Sequence, residues 1–463
     1  MLRDILRNCG LLLLTLLVCA PAGAQSNPDD NWDVVVIGGG LMGSSTAWQL
    51  AREGQQVLLL EMQDEVYTQG SSFGDARISR SLGPPGDIWG YMHNRTVAEM
   101  KELVDFLNEN YELAFMDEVY VTSPVNYVRH ISRLEAQSWL SEQPDRIEVA
   151  ATPEEGRAKF DLALPEDTYI VREYKEHSGT INPGEVIRKL HMGTSLLGGR
   201  VEYGQRVTQL TRKGEGFELE VIDVASGVST TINAPRVVSA AGPYTGKLLQ
   251  DVAPDFDRLI TPKRVFLAFF EVEPEFWDRL PHDKQQGLLD LFPAINSTLQ
   301  SRASGSFSMI ERYSFRGAPV IKIGGHFQRT EVTDLDAVWK KSLSDEEITW
   351  AHDALLHHLA LLDVGFTKQK LLLDSGYSCV YSLTESEVPY VTHAPLVDGS
   401  PDPNLVVVGG LSGVGAKGSL AYGVIATDLL LSRTESDPVY LAAREAFGFA
   451  RMQRDILAAA EGN

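Results

Sequence analysis

The sequence is poor in cysteine, which occurs three times in 463 residues. Cys9 and Cys19 lie within the first 24 residues, so the remainder of the chain carries Cys379 alone. A single cysteine cannot form an internal disulfide, and this excludes the small disulfide-stabilised scaffolds. An unpaired thiol of this kind is instead a candidate for a reactive or modified group.

Basic residues are also scarce relative to acidic ones. The chain has 41 Lys and Arg against 63 Asp and Glu, which gives a net charge of −22. Such a surface repels nucleic acids and acidic membranes, so we expect neither as a partner. With 43% hydrophobic residues over this length, the composition is typical of a globular protein with two domains.

The chain also lacks an apolar run long enough to span a bilayer, because the run at 9–20 is too short. Arg3 and Arg7 precede that run, and Ala22-Gly23-Ala24 follows it. This order predicts a signal peptide, residues 1–24, and a secreted or periplasmic protein with no stable membrane span. Its removal takes away two basic residues and one acidic residue and leaves a net charge of −23. An uncleaved anchor is the alternative.

A glycine-rich motif follows the first apolar segment of the presumed mature chain. Residues 33–37 form a short run typical of a strand that is buried on both faces. Gly38, Gly40 and Gly43 then fill the pattern G-x-G-x-x-G. The first glycine permits a tight turn, the second lets the backbone approach a pyrophosphate, and the third lets a helix pack against the strand.

The following residues complete a dinucleotide-binding βαβ unit. A helix is predicted from Leu41 to near Gly54, with its free N–H groups directed at the phosphates. A second strand, 56–60, ends in Glu61, whose carboxylate can accept both ribose hydroxyls. A glycine-rich turn without a ligand is the alternative interpretation.

The rest of the chain predicts two sheets. A β-meander over 200–242 returns to the nucleotide sheet, and 404–408 is a last buried strand of that sheet. Residues 264–273 and 318–324 are predicted strands of a second sheet. We further expect a polar, irregular surface excursion at 274–306, a helix at 345–362 and an amphipathic helix at 438–460.

Four motifs in this order resemble the D-amino-acid-oxidase-like flavoproteins, and within them the monomeric sarcosine oxidase and N-methyl amino acid oxidase family. The motifs are GGGLMG at 38–43, GSSFGDARISR at 70–80, VIKIGGH at 320–326, and CVYSLTES at 379–386 together with GGLSGVGAK at 409–417. The resemblance covers most of residues 32–435.

The resemblance implies an α/β plus α+β fold, with a Rossmann-type FAD-binding domain built from discontinuous segments and an antiparallel-sheet substrate domain. The FAD-binding domain is expected at 31–110, 177–255 and 376–435, the substrate domain at 111–176 and 256–375, and a C-terminal helix at 436–463.

The resemblance also implies the cofactor and its contacts. FAD is expected to be attached covalently through Cys379, with Arg77 near the flavin ring. A helix N-terminus at the turn with Gly410, Gly413 and Gly415, followed by Lys417, would present backbone N–H groups to the pyrimidine edge of the flavin. A glycine turn that only reverses the chain is the alternative. The chain departs from the family at residue 73, where Phe stands in place of a frequent His. The alternative for Cys379 is an inert buried thiol.

Further residues are implied as catalytic or substrate-binding groups. Arg80 and Lys417 match the clamp for the substrate carboxylate, for which the fork of an arginine is well suited. Lys322 matches the lysine at which oxygen is reduced, where a cation stabilises superoxide. His326 and, by allowing a gap, Tyr313 match pocket residues of the family. The alternatives are surface salt bridges for the clamp, a solvent-facing Lys322 and a structural His326.

The expected function is therefore an FAD-dependent oxidase of an amino acid with a secondary or N-methylated amine, giving an imine and hydrogen peroxide. Molecular oxygen and a small amine are the expected partners, and no metal site is expected. Two alternatives remain, namely a dehydrogenase of the same fold with a quinone or protein acceptor, and a non-catalytic exported flavin-binding protein.

Overall fold

The computed structural model describes residues 31–67, 69–111, 114–298, 305–339 and 342–461. The expected signal peptide, residues 1–24, lies outside the described residues. The described strands are β1 (Val34–Ile37), β2 (Val57–Leu60), β3 (Arg77–Arg80), β4 (Tyr120–Thr122), β5 (Val125–His130), β6 (Ile147–Ala150), β7 (Thr168–Glu173), β8 (Ser178–Ile181), β9 (Arg200–Glu202), β10 (Gln205–Lys213), β11 (Gly216–Asp223), β12 (Ser229–Ala234), β13 (Val237–Ser239), β14 (Thr261–Val272), β15 (Ala294–Ser297), β16 (Ser306–Tyr313), β17 (Pro319–Gly325), β18 (Leu371–Leu383), β19 (Tyr390–Pro395) and β20 (Pro401–Gly409). The described α-helices are α1 (Leu41–Arg52), α2 (Ile88–Tyr111), α3 (Met116–Val119), α4 (Pro153–Phe160), α5 (Pro183–Leu196), α6 (Thr245–Leu248), α7 (Phe256–Leu259), α8 (Pro274–Arg279), α9 (His282–Leu291), α10 (Asp345–Leu359), α11 (Ser419–Leu430), α12 (Pro438–Phe447) and α13 (Phe449–Glu461).

A six-stranded sheet contains the predicted nucleotide unit. Its strand order is β19-β20-β13-β1-β2-β9, and all neighbours are parallel except β19 and β20. Alternate residues of β1 face opposite sides of this sheet, as the pleat requires. Val34 and Val36 pack with α1 and α11, whereas Val35 and Ile37 pack with the meander β10–β12. The predicted meander and its return to the sheet through β13 are therefore confirmed.

A second sheet has eight strands in the order β18-β14-β17-β16-β15-β5-β7-β6. Its neighbours are antiparallel except β15 and β5, which are parallel. The strands predicted at 264–273 and 318–324 are β14 and β17, and they pair directly. One face of this sheet packs against α9 and α10 in a large apolar core. The fold class is thus a mixed α/β architecture with one parallel and one antiparallel sheet.

A three-stranded sheet, β3-β8-β4, carries the segment of the second motif. In β3 the two arginines of R-x-x-R stand at the first and last positions, Arg77 and Arg80. β3 pairs with β8, and Arg77 is in register with Ile181. This pairing holds both arginines in fixed positions.

Two predictions about secondary structure are wrong. The described part of the segment predicted as an irregular excursion at 274–306 is not irregular, because residues 274–298 contain α8, α9 and β15, and β15 is an interior strand of the large sheet. Polar residues on the outer faces of α8 and α9 gave the segment its loop-like composition. The predicted helix over 438–460 is two helices, α12 and α13, which are separated by Gly448.

The expected boundary between the two domains at 375/376 lies inside β18, which runs without interruption from Leu371 to Leu383. Cys379 is therefore part of the eight-stranded sheet, where it is in register with Val265. Among the described helices, none is both long enough and apolar enough to cross a bilayer.

Candidate active site

A cavity of about 780 Å³ extends from the glycine turn after β1 to the turn before α11. Its walls come from both large sheets and from the 70–80 segment. Of the residues singled out in the sequence, the cavity brings together Gly38, Gly40, Glu61, Arg77, Arg80, Lys322, His326, Cys379, Gly413, Gly415 and Lys417.

The glycine turn has the geometry that its spacing predicts. Gly38 has a φ of +96°, and a Cβ atom there would lie 2.6 Å from the carbonyl oxygen of Ala240. A Cβ atom at Gly43 would lie 1.8 Å from the carbonyl oxygen of Gly38, so only glycine lets α1 pack this closely. Gly40 precedes α1, whose first turn has no acidic residue. The positive end of this helix therefore faces the cavity, and no acidic residue of its own first turn competes for it.

Glu61 lies at the end of β2 and is buried. Its carboxylate accepts hydrogen bonds from the backbone N–H groups of Gly39 at 2.6 Å and Gln63 at 2.8 Å. Burial raises the pKa of Glu61, although these two hydrogen bonds oppose the shift. The two oxygens are oriented by the backbone and keep further acceptor capacity towards the cavity, as binding of a ribose diol requires.

Cys379 lines the cavity and is 5% exposed. Burial raises the pKa of its thiol, while the nearby guanidinium of Arg77 opposes the shift. Arg77 is held by the carbonyl oxygens of Phe73 and Ala76, to which it donates hydrogen bonds. The ring of Phe73 packs edge-on against Tyr377 with centroids 5.0 Å apart.

Lys322 is fully buried on β17 and forms an ion pair with Glu311 of β16. The Glu311 side chain is 3% exposed, so neither charge is solvated. Lys322 also donates a hydrogen bond to the carbonyl oxygen of Ala76, and Glu311 accepts one from the N–H of Asp75 at 3.2 Å. Burial lowers the pKa of Lys322 to about 8, although Glu311 opposes the shift. Lys322 thus faces the cavity as one member of a pair, and the solvent-facing alternative is wrong.

His326 follows β17 and lines the cavity. Partial burial lowers its pKa, and the nearby Arg329 adds to the shift. Its ring lies edge-on to that of Tyr381, with centroids 6.5 Å apart. A neutral imidazole at this position can accept a hydrogen bond from an amine without adding positive charge.

Arg80 and Lys417 line the same end of the cavity. Neither has an ion-pair partner within the part of the chain that the structure describes. Burial lowers the pKa of Lys417 to about 7, and the neighbouring Arg80 contributes to the shift. The Lys417 ammonium lies 5.1 Å from the ring centroid of Trp89. Asp87 and Glu173 oppose the pKa shift but form no ion pair with either cation in the described part of the chain, so an anion bound between the two cations would stabilise them.

Tyr313 is not brought to this cavity. It lies at the end of β16, pairs with Pro319 and is 54% exposed. The expected pocket role of Tyr313 is therefore wrong. Gly43 and Gly410 also do not line the cavity; they shape the chain behind its wall, where Gly410 has a φ of +66°.

Sequence reasoning missed Glu311, the partner of Lys322. The pairing of β16 with β17 shifts register between Ile310 and Arg312, so Glu311 is the extra residue of a β-bulge. A bulge re-aims one side chain and breaks the alternation of faces, and this left no signal in the residue pattern. The same bulge explains why Tyr313, two residues later, does not face the cavity.

Sequence reasoning also missed an arginine-rich wall formed by Arg129 and Arg133, which line the cavity together with Tyr127. Tyr127 and Arg129 are two residues apart on β5 and therefore face the same side. The spacing of Tyr127 and Arg129 was the only signal in the sequence. It predicts that the two side chains share a face of the strand, but it does not predict that this face borders the cavity.

Comparison with known proteins identifies a family. A sequence model of the family described as "FAD dependent oxidoreductase" matches residues 33–429. A probable sarcosine oxidase of Arabidopsis thaliana is 23% identical over 420 residues, covering 88% of this chain and 90% of that protein. A monomeric sarcosine oxidase of Bacillus sp. (strain B-0618) is 23% identical over 411 residues, covering 88% of this chain and 94% of that protein.

Solved structures share the fold. The crystal structure of an L-proline dehydrogenase from P. horikoshii superposes with a TM-score of 0.65 at 15% identity, covering 92% of this chain and 98% of that one. At this identity the likeness concerns the fold alone.

Proposed function

The chain belongs to the family of FAD dependent oxidoreductases, and we propose that it oxidises amino acids with a secondary or N-methylated amine, giving an imine and hydrogen peroxide. One observation carries the proposal. The unpaired cations Arg80 and Lys417 lie in the same cavity as the dinucleotide-type glycine turn, Lys322 and His326. A binding module that only holds a flavin has no need of this set of side chains.

The residues of the cavity fit FAD. The turn at Gly38 and Gly40 leaves room for a pyrophosphate at the N-terminus of α1, and Glu61 offers oriented acceptors to a ribose. Bound FAD would supply the two-electron acceptor that amine oxidation needs. We also propose that Cys379 links covalently to the flavin. Its position in the cavity wall and the match of its surrounding motif to the family support this.

Arg80 and Lys417 would bind the substrate carboxylate. The guanidinium can donate two parallel hydrogen bonds to it, and the buried ammonium can add a third. Binding of an anion would also favour the protonated form of Lys417. The carboxylate therefore fixes one end of the amino acid and orients the rest of it in the cavity.

His326 would accept a hydrogen bond from the substrate amine, which reacts as the free base. The amine carbon loses a hydride and its nitrogen a proton, so the C–N bond becomes an imine that water hydrolyses. Oxygen takes up the two electrons and two protons as hydrogen peroxide. Lys322 is the candidate residue to stabilise the negative charge that develops on oxygen.

A dehydrogenase is the second candidate, and the Glu311–Lys322 pair favours it. The carboxylate of Glu311 balances the charge of Lys322 and so weakens the field available to oxygen. The electrons would then leave to a quinone or a protein instead.

Anaerobic mixing of the FAD-loaded protein with a series of amines, followed by air, tests the proposal. An oxidase loses its flavin absorbance on mixing and regains it in air, with one peroxide released for each amine consumed. Loss of the flavin absorbance on mixing without its recovery in air identifies the dehydrogenase. No loss with any amine contradicts both and favours a non-catalytic protein.

We propose, finally, that residues 1–24 are a cleaved signal peptide and that the protein is secreted or periplasmic. N-terminal sequencing of the protein purified from its host should begin near Gln25. A mature protein that begins at Met1 would contradict this.

A further inference from the structure

The cavity is basic although the chain is acidic. Eight Lys and Arg side chains line it against two carboxylates, Glu61 and Glu387, whereas the whole chain has 41 basic and 63 acidic residues. Some of these cations are already balanced, since Lys322 pairs with Glu311 and Arg206 with Asp336. The remaining excess of positive charge is larger than the negative charge of a pyrophosphate and a single substrate carboxylate.

The unbalanced cations are concentrated at the substrate end. Arg80, Arg129 and Arg133 form no ion pair within the described residues. Arg129 and Arg80 both stand over Tyr127, with their guanidinium carbons 4.9 and 5.6 Å from its ring centroid. The two guanidinium groups therefore border the same part of the cavity.

Arg129 is held in place on a rigid support. Its Nη1 donates a hydrogen bond to Oε1 of Gln137, which also accepts one from the Tyr169 hydroxyl at 2.8 Å. Tyr127, beneath it, donates its own hydroxyl to the buried carboxylate of Glu173 at 2.6 Å. An arginine that is fixed in this way and still lacks a carboxylate is preorganised for an anion.

The sheet register gives the distance to the reacting end. Ser297 is in register with Arg129, Asn296 with Ser306, and Ser306 with Gly325, the residue before His326. Arg129 and His326 thus lie in one row, three strand spacings or about 14 Å apart at the backbone. The two side chains therefore project from the same face of the sheet, and a substituent that extends from the amine along this row would approach Arg129.

We propose that the substrate is a secondary-amine amino acid that carries a second anionic group, and that Arg129, supported by Arg133, binds this group. The proposal rests on the proposed function and adds a substrate class to it. Arg80 and Lys417 keep the first carboxylate. The second anion can belong either to the amino acid side chain or to the substituent on the nitrogen, and the fork of Arg129 suits a carboxylate in both cases.

Binding of non-oxidisable analogues tests the proposal without turnover. Thiodiacetate has sulfur in place of the amine and two carboxylates, and its monoamide is a matched ligand with one carboxylate. Titration of the FAD-loaded protein, followed by calorimetry and by the flavin spectrum, should show thiodiacetate binding roughly 10- to 100-fold more tightly than the monoamide.

Variants test whether the arginine-rich wall causes the preference for thiodiacetate over its monoamide. In Arg129→Gln the preference should largely disappear while the affinity for the monoamide is kept, and Arg129→Lys should retain part of it. Arg188→Gln, an exposed arginine of α5, is the control and should change nothing. If Arg129→Gln does not fold, Arg133→Gln at the more exposed part of the wall should still reduce the preference severalfold. Equal affinity for the two ligands in the wild type, or equal weakening of both in Arg129→Gln, would overturn the proposal.

Turnover distinguishes the two sources of the anion. Comparing kcat/KM for N-methylglutamate and N-methylglutamine tests whether the second carboxylate belongs to the side chain. The same comparison for iminodiacetate and its monoamide tests whether it belongs to the substituent on the nitrogen. At least one acidic member should have the higher kcat/KM. If the amides are oxidised as well as the acids, this inference fails and the proposed function stands. If no amine reduces the flavin and neither analogue binds, both fail.

Discussion

The ammonium of Lys322 and the carboxylate of Glu311 form an ion pair that is closed to solvent on both sides. Backbone groups of Asp75 and Ala76 complete the pair, so the two strands that carry it are tied to the segment just before Arg77. A buried pair is costly to desolvate and is kept only when its geometry is good. Here it determines how much positive charge the cavity offers near Arg77 and Cys379.

Breaking this pair on one side should destabilise the protein. In Glu311→Gln, Lys322 loses its counter-ion in a buried site, and we expect a loss of about 3–5 kcal/mol in the free energy of unfolding. The double variant Glu311→Leu/Lys322→Met removes both charges and should recover most of it. Chemical denaturation measures both values. A double variant as unstable as the single one would show that the pair itself is not responsible.

The thiol of Cys379 should hold the flavin after denaturation. When the purified protein is precipitated with acid, the pellet should be yellow, and for Cys379→Ser the colour should move to the supernatant as free FAD. The conservative variant keeps the volume of the side chain, so loss of folding does not explain the release. A colourless pellet from the wild type would refute the covalent link.

Arg80 should contribute to binding through the substrate carboxylate. Hydrogen bonds to charged groups are worth about 1.5–3 kcal/mol, so Arg80→Gln should lower kcat/KM by roughly one to two powers of ten. The loss should shrink for an amine that lacks the carboxylate. Arg188→Gln, an exposed arginine, serves as the control. Equal impairment of substrates with and without the carboxylate would contradict the assignment.

Binding of a carboxylate should depend on pH through Lys417. Burial lowers the pKa of Lys417 in the empty cavity to about 7, and a bound carboxylate would raise it. Affinity should therefore be greatest below pH 7 and should fall by up to about tenfold per pH unit above it, until the pKa of the complex is reached. Methylthioacetate, whose sulfur does not ionise, isolates this effect. In Lys417→Met the affinity should be low and independent of pH from 6 to 9, and an unchanged slope would assign the titration to another group.

The nucleotide unit could be predicted from the sequence because its constraints are local. Glycines at 38, 40 and 43 are required by the backbone positions described above, and the apolar run of β1 is buried on both faces. The substrate end could be anticipated only through motifs such as those around Arg80 and Lys417, because the segments that meet there are far apart in the chain.

Other features depend on pairing that the sequence does not reveal. The bulge at Glu311 changes which side chain meets Lys322, and an alternating pattern contains no record of it. In the sequence, Arg129 has the pattern of an exposed residue on a strand. The parallel pairing of β5 with β15 nevertheless brings it to the cavity wall. Residues 274–306 appeared irregular because their helices bury few large apolar residues, among them Leu288 and Leu291.

We propose that one cavity both oxidises an amine and reduces oxygen, the second step with the help of Lys322. Contributions of this electrostatic kind reach about 10²–10³ in rate, and since Glu311 balances part of the charge we expect a value on the order of 10². Stopped-flow spectroscopy measures the two half-reactions separately for the wild type, Lys322→Met and the control Lys263→Met, a lysine of β14 outside the cavity wall. Lys322→Met should slow reoxidation of the flavin by air about 100-fold and change its anaerobic reduction by amine far less. Reoxidation at the wild-type rate, or a reduction step slowed as much as reoxidation, would show that Lys322 does not act specifically in the reaction with oxygen.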